Sequence, residues 1–106
     1  MVQIVNVPEV KPILNQNGVV GKRIYDQPDA QVVHIAFEPN SFLPKHETPV
    51  DVFFYILEGR AEIEIGTDQT EAQKDSIIYS PKKIAHAIRN IGPGVLRVLV
   101  GKTPRP

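Results

Sequence analysis

Cysteine is absent from the 106 residues, which excludes disulfides, thiolate metal sites and thiol nucleophiles and suits a reducing compartment. Neither sign of charge is in surplus, with twelve Lys and Arg against twelve Asp and Glu. No global field therefore recruits nucleic acid or an acidic membrane surface. Long apolar runs are missing too: none approaches the roughly 18 residues of a membrane helix. The opening "MVQIVNVPEV" lacks the basic flank and long apolar stretch of a signal peptide. The expectation is a cytoplasmic protein with no nucleic-acid or membrane partner. Helical periodicity is also lacking, because ten prolines and seven glycines interrupt the chain every few positions.

What is present is a series of short runs rich in Val, Ile, Phe and Tyr: "VVGKRIY", "QVVHIAF", "VFFYILE", "RAEIEIG", "DSIIYS", "HAIRN" and "VLRVLVG". Turn residues separate them, in "EPNS", "EGR", "GTDQ", "SPKK" and "NIGPG". Many short strands at close spacing predict a sandwich or a closed barrel. "RAEIEIG" alternates, with Ala61, Ile63 and Ile65 facing in and Glu62 and Glu64 facing water, as an antiparallel strand with one wet face does. A chain of this length forms one domain, residues 1–106, and buries roughly 60–65% of its unfolded surface. No Ser-His-Asp arrangement, phosphate-cradling glycine loop or dinucleotide fingerprint occurs, so triad hydrolases, kinases and nicotinamide enzymes have no support.

Two motifs, at about residues 39–59 and 75–90, resemble those of a small single-domain cupin. The first motif of that family opens on a Pro-Gly turn, reaches a histidine, skips one residue to a second histidine, and sets a glutamate seven residues before a glycine. Here Pro39-Asn40 takes the turn, His46 the first histidine and Gly59 the glycine. Thr48 stands at the second histidine's place and Val52 at the glutamate's. Pro81, His86 and Asn90 meet the second motif, with Asp75 and Lys83 where it usually has glycines. The resemblance implies an all-β, double-stranded β-helix (jelly-roll) barrel with little or no helix. It also implies a metal set of which two ligands of four, His46 and His86, are kept.

The period of two along a strand gives this loss a physical reading. With His46 pointing inward, Thr48, Val52, Phe54 and Ile56 share its parity, while Glu47, Asp51, Phe53 and Tyr55 point away, so neither nearby carboxylate replaces the lost one. Val33, Ile35 and Phe37, with Ile88 and Val98, complete an apolar cup with two imidazoles at one side, the usual character of a small-molecule site. A divalent metal (Zn, Ni, Fe or Mn) at two histidines is expected to bind weakly, since structural zinc takes four protein ligands and catalytic zinc usually three. If a metal binds, the resemblance implies dioxygenase-like or isomerase-like chemistry on a small oxygenated ligand. The alternative is a metal-free module binding a sugar or carboxylate without catalysis. Lys82 and Lys83 read as a solvated turn beside His86, and His34 as a surface or interface residue on the opposite face from the apolar set. Phe53, Tyr55 and Leu57 point out of the cup and need covering, which, with the resemblance, predicts a homodimer.

Overall fold

A computed structural model describes residues 1–106. Its one helical piece is a 3-10 turn at Val7–Glu9. Ten strands follow: β1 (Leu14–Gln16), β2 (Val19–Gln27), β3 (Ala30–Phe37), β4 (Phe42–His46), β5 (Asp51–Glu58), β6 (Arg60–Ile65), β7 (Asp68–Gln73), β8 (Ile77–Ser80), β9 (His86–Asn90) and β10 (Leu96–Thr103). They make a six-stranded sheet, β1-β2-β3-β10-β5-β8, and a four-stranded sheet, β4-β9-β6-β7. All pairs are antiparallel. The two inner faces meet over one core, as the expected all-β barrel requires.

All seven apolar runs became strands, but β1, β4 and β7 were not among them. Each is an edge strand with a weak apolar signal: β4 is broken by Pro44, and β7 reads "DQTEAQ". Edge strands do not need two buried faces, and polar edges discourage pairing with other chains.

Register sorts the inner face of the six-stranded sheet into rows. At one end Val19, Phe37 and Leu96 lie side by side, each no more than 2% exposed. Gly21, Ile35, Val98 and Ile56 form the next row. Then come Arg23, Val33, Val100, Phe54 and Ile78, and last Gln31, Lys102, Val52 and Ser80. From the other sheet, Asn90, Ile88 and His86 face them, paired with Ala61, Ile63 and Ile65.

Turns hold this frame in left-handed backbone. Asn17 and Gly18 both have positive φ, the two-residue hairpin turn whose twist matches its strands. Gly59 has φ 88° and its missing Cβ lies against the Val95 carbonyl, so a side chain there meets backbone as well as strain. Asn40, Asp75 and Lys83 have φ of 65–68°. These are the three positions where the resemblance puts glycines, so the turn geometry persists although the residue that adopts it most easily has gone.

Candidate functional site

β4 and β9 pair as Leu43 with Ile88 and His46 with His86, so β4 carries one extra residue between these two pairs. That bulge allows Leu43 and His46, three residues apart, to face the same interior. The two imidazoles meet edge to face, with ring centres 4.6 Å apart, and Phe54 stands edge-on to His86 at 5.2 Å. Parity within a single strand was therefore not what brought His46 and Val52 to one side. The chain leaves strand conformation between β4 and β5, and Thr48 reaches its buried position from that connection, its carbonyl accepting from Lys83 N at 2.9 Å.

The two histidines differ in environment. His46 is exposed at the rim, where its Nδ1 lies 3.0 Å from the Pro44 carbonyl and so carries the donated proton. His86 is 3% exposed and its Nδ1 lies 2.8 Å from the buried hydroxyl of Ser80. Burial first, then the neighbouring His46 and Lys102, push the His86 pKa down to about 4, so this imidazole is neutral at neutral pH. Both Nδ1 atoms are engaged with oxygen, which leaves the two Nε2 atoms for a ligand.

The pocket residues expected from sequence, Val33, Ile35, Phe37, Val52, Phe54, Ile56, Ile88 and Val98, are all buried in one core cluster. Those nearest Phe37 fill the barrel; Phe54 stands against His86, and Val52 pairs with Ser80. Glu47 is exposed, and Asp51 faces away, accepting from Lys82 N at 2.9 Å and the Tyr79 hydroxyl at 3.3 Å. No third His, Asp or Glu joins the pair. Two imidazoles alone are a poor set for a tightly held metal, which needs more protein ligands.

Sequence reasoning missed Lys102, Arg23 and Gln31. Lys102 continues the inward parity of Leu96, Val98 and Val100, a signal readable in "VLRVLVGKT" once the strand is carried past Gly101. It lies between Gln31 and Val52, and Val52 is beside Ser80, the partner of His86. Burial, then Arg23, lower the Lys102 pKa. Lys82 and Lys83 are exposed turn residues.

His34 lies on the outer face, as its parity predicts, but it is 5% exposed rather than at the surface. Arg97 Nε donates to His34 Nε2 at 3.1 Å, and burial, then Arg97 and Lys22, lower its pKa. On the same face Phe53 lies over Gly101, where any side chain would collide with its ring. Tyr55 donates to Asp75 at 2.9 Å, while Tyr25, Ile77 and Tyr79 are at least half exposed. At the opposite side of the barrel the unpaired edges of β1 and β4 border a cavity of about 490 Å3, with Leu14, Val19 and Leu43 among its walls.

Residues 33–101 match the family model described as "Cupin domain". By sequence the chain is 38% identical over 64 residues to the uncharacterized protein MJ1618 of Methanocaldococcus jannaschii, covering 60% of this chain and 50% of that protein. It is 35% identical over 54 residues to the uncharacterized protein SCO3923 of Streptomyces coelicolor, covering 51% and 50%. The matched stretch spans about half the length of these relatives. By structure the chain is similar to KdgF from Halomonas sp., with TM-score 0.86, 18% identity, and 100% and 96% of the two chains covered. It is likewise similar to the polyketide cyclase RemF from Streptomyces resistomycificus, with TM-score 0.82, 19% identity, and coverage of 99% and 81%. At such identities these structures establish the shared fold alone.

Proposed function

The chain belongs to the cupin domain family, and from that premise we propose that its barrel is a metal-independent cup for a small oxygenated molecule. The observation that carries this reading is the pair of convergent imidazoles, one buried and neutral, in a wall that supplies no third metal ligand. Neutral imidazole nitrogens above an apolar floor bind hydroxyl or carboxyl groups by hydrogen bonds, and burial strengthens such bonds. A small carboxylate or sugar fits that chemistry, and no reaction is required of it.

A weak divalent cation at His46 and His86, with dioxygenase-like or isomerase-like activity, is the second reading. It is favoured by the engagement of both Nδ1 atoms with oxygen, the arrangement that orients metal-binding histidines. The separating experiment is titration of small carboxylates and monosaccharides, followed through the imidazole resonances of His46 and His86, before and after treatment with EDTA. Unchanged binding supports the metal-independent cup. Loss with EDTA and recovery on adding Zn2+, Ni2+, Fe2+ or Mn2+ supports the second reading.

Two copies are proposed to pair through the outer face of the six-stranded sheet, where Ile77 and Tyr79 lie exposed beside Tyr55 and Phe53, and Tyr25 lies exposed on β2 beyond β10 and β3. Contiguous apolar surface of this kind marks an interface. Light scattering should give twice the mass of 11.8 kDa, and Tyr55→Lys or Tyr79→Lys should shift it toward the monomer; a monodisperse parent monomer at micromolar concentration refutes the pairing. No helix is long and apolar enough to cross a membrane, and a cytoplasmic location is proposed from the lack of cysteine.

A further inference from the structure

We propose that the ligand of the cup is an anion, a small carboxylate, held at the His86 end of the barrel by the Lys102 ammonium and the Arg23 guanidinium with the Gln31 amide beside them. This rests on the reading of the barrel as a small-molecule cup and adds the ligand's charge. Register and parity carry it. Lys102 and Gln31 are direct cross-strand partners in the last inward row, Arg23 belongs to the row beneath, and Val52 and Ser80 continue the Lys102 row toward His86.

Neither cation has an acid of its own. Lys45, Arg60, Arg97 and Arg105 each pair with a carboxylate, whereas Lys102 and Arg23 take part in no salt bridge or side-chain hydrogen bond within the chain. Asp26 lies across from Gln31, but it accepts from Gln31 Nε2 at 3.4 Å and Arg105 Nη1 at 3.5 Å. Asp51 is directed to the other face, and Glu47 is in the exposed connection beyond β4. Lys102 is half-buried among inward residues and its ammonium, still reached by solvent, has no carboxylate beside it, so an anion would replace hydration that burial has already reduced. The lowered pKa of Lys102, from burial and then Arg23, agrees. A carboxylate between them would accept from the Lys102 ammonium, the Arg23 guanidinium and the Gln31 amide, the first two in the stronger charge-assisted class.

The test uses the whole chain, 15N-labelled and treated with EDTA, at constant ionic strength. Acetate, glycolate and benzoate are titrated, each alongside its primary amide as a neutral probe of the same shape. The expected result is saturable shifts at the amides of Gln31, Thr48 and Lys102 and at the His86 ring, with each acid binding at least about tenfold tighter than its amide. Lys102→Met keeps the aliphatic stem and should remove about that tenfold preference while leaving the amides unaffected. Arg23→Gln, at an exposed position, should act in the same direction even if Lys102→Met does not fold, and Lys102→Arg should retain the preference. Equal affinity for acids and amides, or no effect of Lys102→Met and Arg23→Gln, overturns the anionic ligand and leaves the cup standing. Shifts at none of these residues with any probe overturn both.

Discussion

The two ends of the barrel treat their inward polar groups differently. At the Phe37 end Asn90 is 1% exposed, and every partner its side chain needs is inside the chain. Its Nδ2 donates to the carbonyls of Phe37 at 3.0 Å and Gly94 at 2.9 Å, and its Oδ1 accepts from Gly92 N at 3.0 Å. At the His86 end the half-buried Lys102 and the exposed Arg23 have no side-chain partner within the chain, and the two imidazoles keep a nitrogen each in reserve. A polar group bonded within the chain fixes a fold, whereas one left to solvent is available to a ligand. Asn90 and His86 both occupy motif places, only four residues apart on β9, yet they serve these two different ends.

Mutation at the Phe37 end should produce the largest effect. Asn90→Ala leaves two carbonyls and an N–H without partners, and urea unfolding should show a loss of about 3–5 kcal/mol; a loss below about 1 kcal/mol would contradict the locking role. Next comes pH. The folded pKa of His86 lies below the unfolded value, so its contribution is intact above about pH 7 and is lost as pH falls from 6.5 toward 4, where the folded state takes the proton too. His34, also shifted down, adds a loss of the same sign. The His86 part is on the order of 2–3 kcal/mol, and stability curves of His86→Gln should lack it, whereas Asn90→Ala should keep the parent's slope. The smallest change belongs to Lys102→Met, within about 0.5 kcal/mol of the parent or slightly stabilising. A large loss would mean that the ammonium holds the structure together and that the ends do not differ as described.

The barrel was legible because burial on one face imposes a period of two, and every strand with a fully apolar inner face declared itself. β7 did not, since an edge with one exposed side carries almost no apolar signal. The histidine pair was legible from motif spacing, but its geometry was not. A one-residue bulge in β4 and a non-strand connection at residues 47–50 both reset parity, and nothing in "FLPKHETPV" announces them. Lys102 was obscured differently. Gly101 reads as a strand end, although here it is the bed on which Phe53 lies, and the strand continues past it.

The position of β10 bears on the timing of folding. Leu96–Thr103, the tenth strand in chain order, lies between β3 and β5 in the middle of the larger sheet, pairing with residues 31–37 on one side and 51–58 on the other. Until those eight residues are synthesised, β3 and β5 are two exposed apolar edges with the one strand that joins them missing, able to pair with other chains. The wall is joined by contacts of long sequence separation, which makes closure a slow, milliseconds-to-seconds event. Inserting β10 removes both edges at once, so the chain passes from its most aggregation-prone state to its native one in a single step.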